Sequence, residues 1–457
     1  MKIQRIPAAI AAILTLSAGA HAQQAQPVEQ ITFQQAIALA LKQNIQVLQA
    51  ENNIEQQRLT VQQVGSSIWP TFNLSAGGSN NIGKSFDLQS GTLVTKQTQS
   101  ANSSVSTGIT LFDANRGLDV RSARSLVTAN EAELARARQT AVYNTATGFV
   151  LYANAVSQLD VQKENLAALQ LQESQIQRFA DAGARPISDL YNIKSQVATA
   201  QLGVVNAERQ IENAKFALMR TLQLDPSKDY EFVKPDIPTT AATTVNYNLD
   251  SLVTVAYARR QDMAAARDRL ASSQLDVTSA SRGRWPGLSL NASYGSSGRF
   301  GQTPLDQKGP GTFSEQFDQN KGGQVGIGLQ LPILDRGQTR ITRTRASIAE
   351  ENAQIQMANT RQTVALDVRT AWYNIRSAQQ QLIAAQASLV AATQALEATQ
   401  QRYNVGAATL LEVSQARAQR VNAQSSYSDA QYNLVLNQAA MAYFTGELDP
   451  ASMTIGR

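Results

Sequence analysis

Side chains that commonly carry chemistry are nearly absent from this sequence. It has no cysteine, and its single histidine, His21, lies within the first 22 residues. Those residues have the three parts of a secretory signal: Lys2 and Arg5, an apolar run over 6–16, and Ala20-His21-Ala22 as a cleavage site. The expected mature chain starts near Gln23 and holds neither thiol nor imidazole, so an N-terminal cysteine lipid anchor is not expected. That removes disulfides, thiolate metal sites and the commonest general base and metal ligand. No catalytic, cofactor or metal site is expected, and the chain reads as a non-enzyme. Gly295, Gly298 and Gly301 have no helix after them to make a phosphate cradle. Arg336, Arg340, Arg343 and Arg345 read as a solvated helix start, with nearby Asp335 offsetting their charge against the helix dipole.

The formal charge of +5 falls to +3 without Lys2 and Arg5, too weak and dispersed for a nucleic-acid partner. Beyond the signal no apolar run reaches the roughly 18 residues of a membrane helix. Entry into a membrane would have to use strands.

The elements around the charged residues are long. Val368, Ile375, Leu382, Leu389, Leu396 and Tyr403 keep an unbroken seven-residue spacing, a coiled-coil seam. Proline is absent from 333–403 and Gly337 is the only glycine there, which permits one helix of about 70 residues, about 100 Å long. Such a helix has to pack lengthwise on others. Just before it, Val325, Ile327, Leu329 and Leu331 alternate with Gly or Gln as a strand with one apolar face.

This plan occurs twice. Trp69-Pro70 and Trp285-Pro286 are offset by 216 residues, Leu111-Phe112-Asp113 and Ile333-Leu334-Asp335 by 222, and Gly183-Ala184 and Gly406-Ala407 by 223. The expected division is a signal at 1–22, a first repeat at 23–224, an inter-repeat connection at 225–247 and a second repeat at 248–457. The first repeat reads as a helix (31–64), strands 68–79 and 102–112 about a loop, a long helix 113–182 and a helix 188–224. The second reads as a helix (249–282), strands 285–295 and 323–334 about a loop, a long helix 335–404, a helix 409–445 and a tail. Tyr230-Glu231-Phe232-Val233 in the connection reads as an edge strand. In each half the two shorter helices together match the long one in length, as an antiparallel partner stacked end to end would.

Four strands of about ten residues match the span of tilted membrane strands but cannot close a barrel, which takes about eight. Open edges in a bilayer leave backbone groups unsatisfied, so a shared barrel in a dimer, trimer or tetramer is expected. The duplicated plan, the two Trp-Pro pairs, Leu331-Pro332-Ile333-Leu334-Asp335, Arg178-Phe179-Ala180-Asp181-Ala182-Gly183 and Arg402-Tyr403-Asn404-Val405-Gly406 together resemble the TolC-like outer-membrane efflux proteins over nearly the whole mature chain. The resemblance implies a mixed α/β membrane protein: a homotrimer with a 12-stranded β-barrel, four strands per chain, continued through the periplasm by a long α-helical barrel. It also implies a passive duct for drugs or proteins in a tripartite efflux pump or type I secretion system. Its partners would be a periplasmic adaptor protein, an inner-membrane transporter of RND or ABC type, and outer-membrane lipid.

Carried over by position, the periplasmic tip falls on 183–189 and 403–415. Gate candidates are Arg185, Ser188, Asp189, Tyr403, Glu412 and Gln415. The family's two gate aspartates fall on Glu412 and Gln415, and its gate arginine on Ala408. Arg185 is the expected substitute, paired with Asp189 or Glu412. Trp69 and Trp285, each just before a strand, are expected membrane-interface anchors. The competing reading is a non-conducting periplasmic coiled-coil scaffold or adhesin, which leaves the alternating strands without a role.

Overall fold

A computed structural model describes residues 29–87, 91–234, 248–301 and 312–448. The expected signal segment and most of the expected inter-repeat connection lie outside these. A short strand β1 (Glu29–Ile31) leads into helices α1 (Phe33–Gln43) and α2 (Ile45–Gly65), then the hairpin β2 (Thr71–Asp87) and β3 (Thr92–Phe112). Helix α3 (Arg116–Asp181) runs 66 residues before α4 (Ile187–Leu222) and β4 (Tyr230–Phe232). There follow α5 (Leu249–Arg259), α6 (Gln261–Ser281), β5 (Gly287–Gly301), α7 (Phe313–Gln319), β6 (Gly322–Gln330), the 67-residue α8 (Gln338–Asn404) and α9 (Leu410–Thr445).

Four antiparallel strands form one sheet in the order β2-β3-β5-β6, and β1 pairs in parallel with β4. The register gathers the apolar positions onto one face. Leu74 lies opposite Val105, Val105 opposite Tyr294, Leu290 opposite Ile327 and Leu288 opposite Leu329. The other face carries Asn73, Ser106, Asn291 and Gln324, with Ser75 and Ser104 hydroxyls 2.8 Å apart. Among the described residues nothing covers the apolar face: Leu74 is 77% and Val325 76% exposed.

Below the sheet, α2 packs on α3, α3 on α6 and α6 on α8, so the helices repeat the strand order. Farther down, α4 packs on α3, α3 on α9 and α9 on α8. The heptad positions of α8 make these contacts: Val368, Ile375 and Leu382 are buried, Leu389 and Leu396 half-buried, and Tyr403 buried at the last turn. Midway along α3 a core of Val142, Phe149 and Tyr152 receives Phe33 from α1, Leu218 from α4 and Phe232 from β4. Phe149 meets Phe33 and Phe232 edge-on, with centroids 5.5 and 5.6 Å away.

Several boundaries differ from those expected. The helix expected over 31–64 breaks at Asn44, and that over 249–282 at Arg260; both residues are extended. Asn44 caps α2 through its side chain, accepting hydrogen bonds from the amides of Gln46 and Val47. Much of the loop expected over 80–101 is hairpin, since its Gly, Ser, Asn and Gln residues pair without an apolar face to announce them. Strand β6 ends at Gln330 rather than 334, two residues before Pro332. Helix α7 starts with a capping box in which Thr312 and Glu315 exchange hydrogen bonds, within a segment expected to be loop.

Candidate functional site

The two long helices end in matching turns. Gly183 and Gly406 both take left-handed backbone, φ 70° and 77°, which glycine adopts without Cβ strain. In each turn the amide of the following residue closes a 6→1 bond: Ala184 N–H to the Phe179 carbonyl at 2.8 Å, and Ala407 N–H to the Arg402 carbonyl at 2.7 Å. The two turns then part in chemistry. Pro186 starts α4 without a side-chain cap, whereas Thr409 and Glu412 form a full capping box at the start of α9. Arg185 and Ala408 occupy equivalent positions, as do Asp189 and Glu412.

The turns lie against one another on a shared core of Ile176, Leu190, Ile193, Tyr403, Leu410 and Val413. Arg185 crosses from the first turn to the second. Its Nη2 donates to the Tyr403 carbonyl at 3.4 Å, and its guanidinium carbon stands 4.5 Å from the centre of the Tyr403 ring. No ion pair joins Arg185 to Asp189 or Glu412 among the described residues, which corrects the pairing expected from sequence. The reason is local. Glu412 already accepts from the Thr409 amide and hydroxyl at 3.1 Å and lies 3.5 Å from Arg402, which itself donates to the Ala407 carbonyl at 3.0 Å. The bonds from Thr409, with a smaller contribution from Arg402, hold the Glu412 carboxyl below its ordinary pKa.

Tyr403 is buried with its hydroxyl unpartnered, and burial, reinforced by Asp189 against the opposing Arg185, raises its pKa. Asp189 is half-buried in the first turn of α4, where its charge suits the helix dipole. Ser188 and Gln415 are exposed, and Ala408, at the family's gate-arginine position, is packed into the shared core. Sequence reasoning missed Arg402. Its only signal was a basic residue in the last helical turn, which is common.

At the other end of the helices, Trp69 is 71% and Trp285 56% exposed, so neither is a core residue of the chain. The Arg282 guanidinium stands 5.3 Å from the Trp285 ring centre. Asp335 caps α8, accepting from the amides of Gly337 and Thr339 and from Arg284; its bonds with Thr339 contribute most to holding its pKa well below the usual carboxylate range.

The described residues thus combine an uncovered apolar sheet face with helices of about 100 Å, none of which is long and apolar enough to cross a membrane. The profile of the outer membrane efflux protein family matches the chain over residues 36–222 and 252–447, and the chain belongs to that family. It is accordingly an outer-membrane protein, from a family of efflux proteins rather than enzymes. It is 24% identical to the outer membrane protein TolC of Escherichia coli K12 over 318 residues, which are 68% of this chain and 62% of TolC. With the TolC of Vibrio cholerae it shares 22% over 383 residues, 84% of this chain and 83% of that protein. The fold is that of the Vibrio cholerae outer membrane protein VceC, with a TM-score of 0.73 at 20% identity, covering 91% of this chain and 96% of VceC.

Proposed function

We propose that the chain is one third of a trimeric exit duct, with three four-stranded sheets closing a 12-stranded barrel above a ring of helices. The observation that carries this is the coincidence of free edges. Strands β2 and β6 are the outer strands of the sheet, and α2 and α8 are the outer helices of the layer beneath. Both free edges therefore fall on the same two sides of the chain. The free flank of α8 carries Ile341, Ile348 and Ile355 at seven-residue spacing, 47%, 53% and 60% exposed, and α2 offers Leu48 and Leu59. A second copy placing α2 and β2 against α8 and β6 would satisfy the strand edges and cover these stripes together. The apolar positions from Val325 in β6 to Leu331 just past its end run about 20 Å along the strand, which at the usual tilt covers about 15 Å of the roughly 25 Å apolar band of membrane barrels. In that arrangement the apolar face meets lipid, Trp69 and Trp285 lie at its periplasmic border, and the Asn, Ser, Gly and Gln face lines water.

The duct serves a tripartite efflux pump or a type I secretion system, with a periplasmic adaptor and an RND or ABC transporter as partners. The turns at 183–189 and 403–415 form its periplasmic gate, in which Arg185 on Tyr403 replaces the missing arginine at position 408. Ser188, Asp189, Glu412 and Gln415 surround that contact. Purified protein in planar bilayers should give discrete conductance steps, small in the resting state. A protein that inserts yet never conducts would contradict the duct.

A further inference from the structure

On α9, two turns beyond its cap, Arg417 lies in the body of the helical layer where α9 and α4 flank α3. Its Nη1 is closed off from solvent and has no hydrogen-bond partner. Among the described residues no carboxylate pairs with Arg417. Glu164 on α3 is held by Arg420 at 2.8 Å instead. Burial first, and then the neighbouring charge of Arg420, lower the pKa of Arg417. A guanidinium does not escape by losing its proton, so a half-buried positive charge stands without a carboxylate among the described residues, an arrangement that favours an anion.

The same residue opens onto a cleft of about 540 Å³ between the three helices. Its walls are amides and hydroxyls, notably Gln162, Asn165, Thr199 and Gln415, over Leu169 and Ala200. No acidic side chain lines it. We infer that this cleft is a carboxylate-binding site in which Arg417 takes one carboxylate group supplied from outside the chain. A single unpaired positive charge is balanced by a monoanion, and a carboxylate can meet the part of the guanidinium that opens onto the cleft, Nη1 itself being closed off, while neutral amides cover its flanks. A phosphate dianion would bring a second charge with no cation left to meet it. The next subunit is a poor source on the trimer reading, because its contacts fall on the outer flanks of α4 and α8. The carboxylate belongs to a small solute or to an acidic side chain of another protein, and both present the same group.

The test uses the detergent-solubilised full chain and needs neither conduction nor a defined oligomer, so its failure is separable from failure of the duct. Sodium acetate should raise the melting temperature by about 2–4 °C over sodium chloride at matched ionic strength, as ligand binding to the folded state requires. Inorganic phosphate should raise it no more in wild type than in Arg417→Gln, since its exclusion from the protein surface acts on both alike. Arg417→Gln should abolish the acetate shift and melt no lower than wild type in chloride, since it removes a half-buried charge that has no carboxylate partner among the described residues. Independently of stability, the ¹⁹F signal of trifluoroacetate should broaden with wild type and with Arg343→Gln, but not with Arg417→Gln. Displacement of trifluoroacetate by an alanine-based helical peptide bearing one glutamate, where free acetate is much weaker, identifies a protein side chain as the source. Equal displacement by acetate identifies a solute. An absent acetate shift and ¹⁹F response in wild type, their survival in Arg417→Gln, or an equal response to phosphate that depends on Arg417 would overturn the assignment.

Discussion

Arg185 and Arg260 both stand at helix breaks, and their surroundings give opposite expectations for their removal. Arg185 holds the neighbouring turn by one long hydrogen bond and a ring contact at a partly open surface, together about 0.5–2 kcal/mol. Arg185→Ala should leave the melting temperature nearly unchanged while enlarging single-channel conductance, and Tyr403→Ala should do the same without adding to it in the double variant. Unaltered conductance in all three would place the constriction elsewhere. Arg260 is 4% exposed and joins Asp262 to Asp367 on α8, at 2.5 and 2.8 Å. Arg260→Met should cost about 2–4 kcal/mol, because it leaves two carboxylates facing each other. Burial pushes the Asp262 pKa up, but the bonds and charge of Arg260 outweigh it and set it below its ordinary value of 3.8. With the folded pKa depressed, the contribution of this group is full above that ordinary value and lost as pH falls through the lowered one. Thermal melts taken toward about pH 3 should therefore show an acid-side loss in wild type that is smaller in Arg260→Met; equal losses would remove the clasp from the account.

The long helices were the most legible elements, because a seven-residue apolar repeat over 368–403 without proline leaves few alternatives. Replacing Leu389, half-buried on that seam against α9, with Asp should cost about 2–4 kcal/mol and sharply reduce the assembled fraction on size exclusion. Unchanged assembly and melting would mean that the stripe is not a packed seam. The break at Asn44 could have been read, since an asparagine before a helical run is a common cap. The one at Arg260 has no capping side chain to announce it, although it stands 216 residues after Asn44, and its guanidinium is held both by Asp262 and by Asp367, 107 residues away. The far halves of β2 and β3 were hidden for a related reason: with polar residues on both faces, no alternation marks them, and their order comes from the ladder itself. At the tip, the turns were fixed by Gly183 and Gly406, but which partner Arg185 chooses depends on Glu412 being engaged by Thr409 and Arg402, a competition that spacing alone does not express.

At the scale of the whole molecule, sheet and helices are built to one order and are left open at the same two sides. A lone chain would expose an apolar sheet face, two unpaired strand edges and the Ile341, Ile348, Ile355 stripe at once. Lipid can cover the first of these but not the other two, which the proposed neighbour of the same kind would cover. Four strands per copy and the about eight needed for closure set the minimum for a shared barrel at two copies, and the duct proposed above has three. The mass of the detergent-extracted protein, measured by light scattering with the detergent contribution subtracted, tests this most directly. It should be three times that of the processed chain, whose unprocessed mass is 49.3 kDa; a stable, folded monomer would contradict the shared barrel.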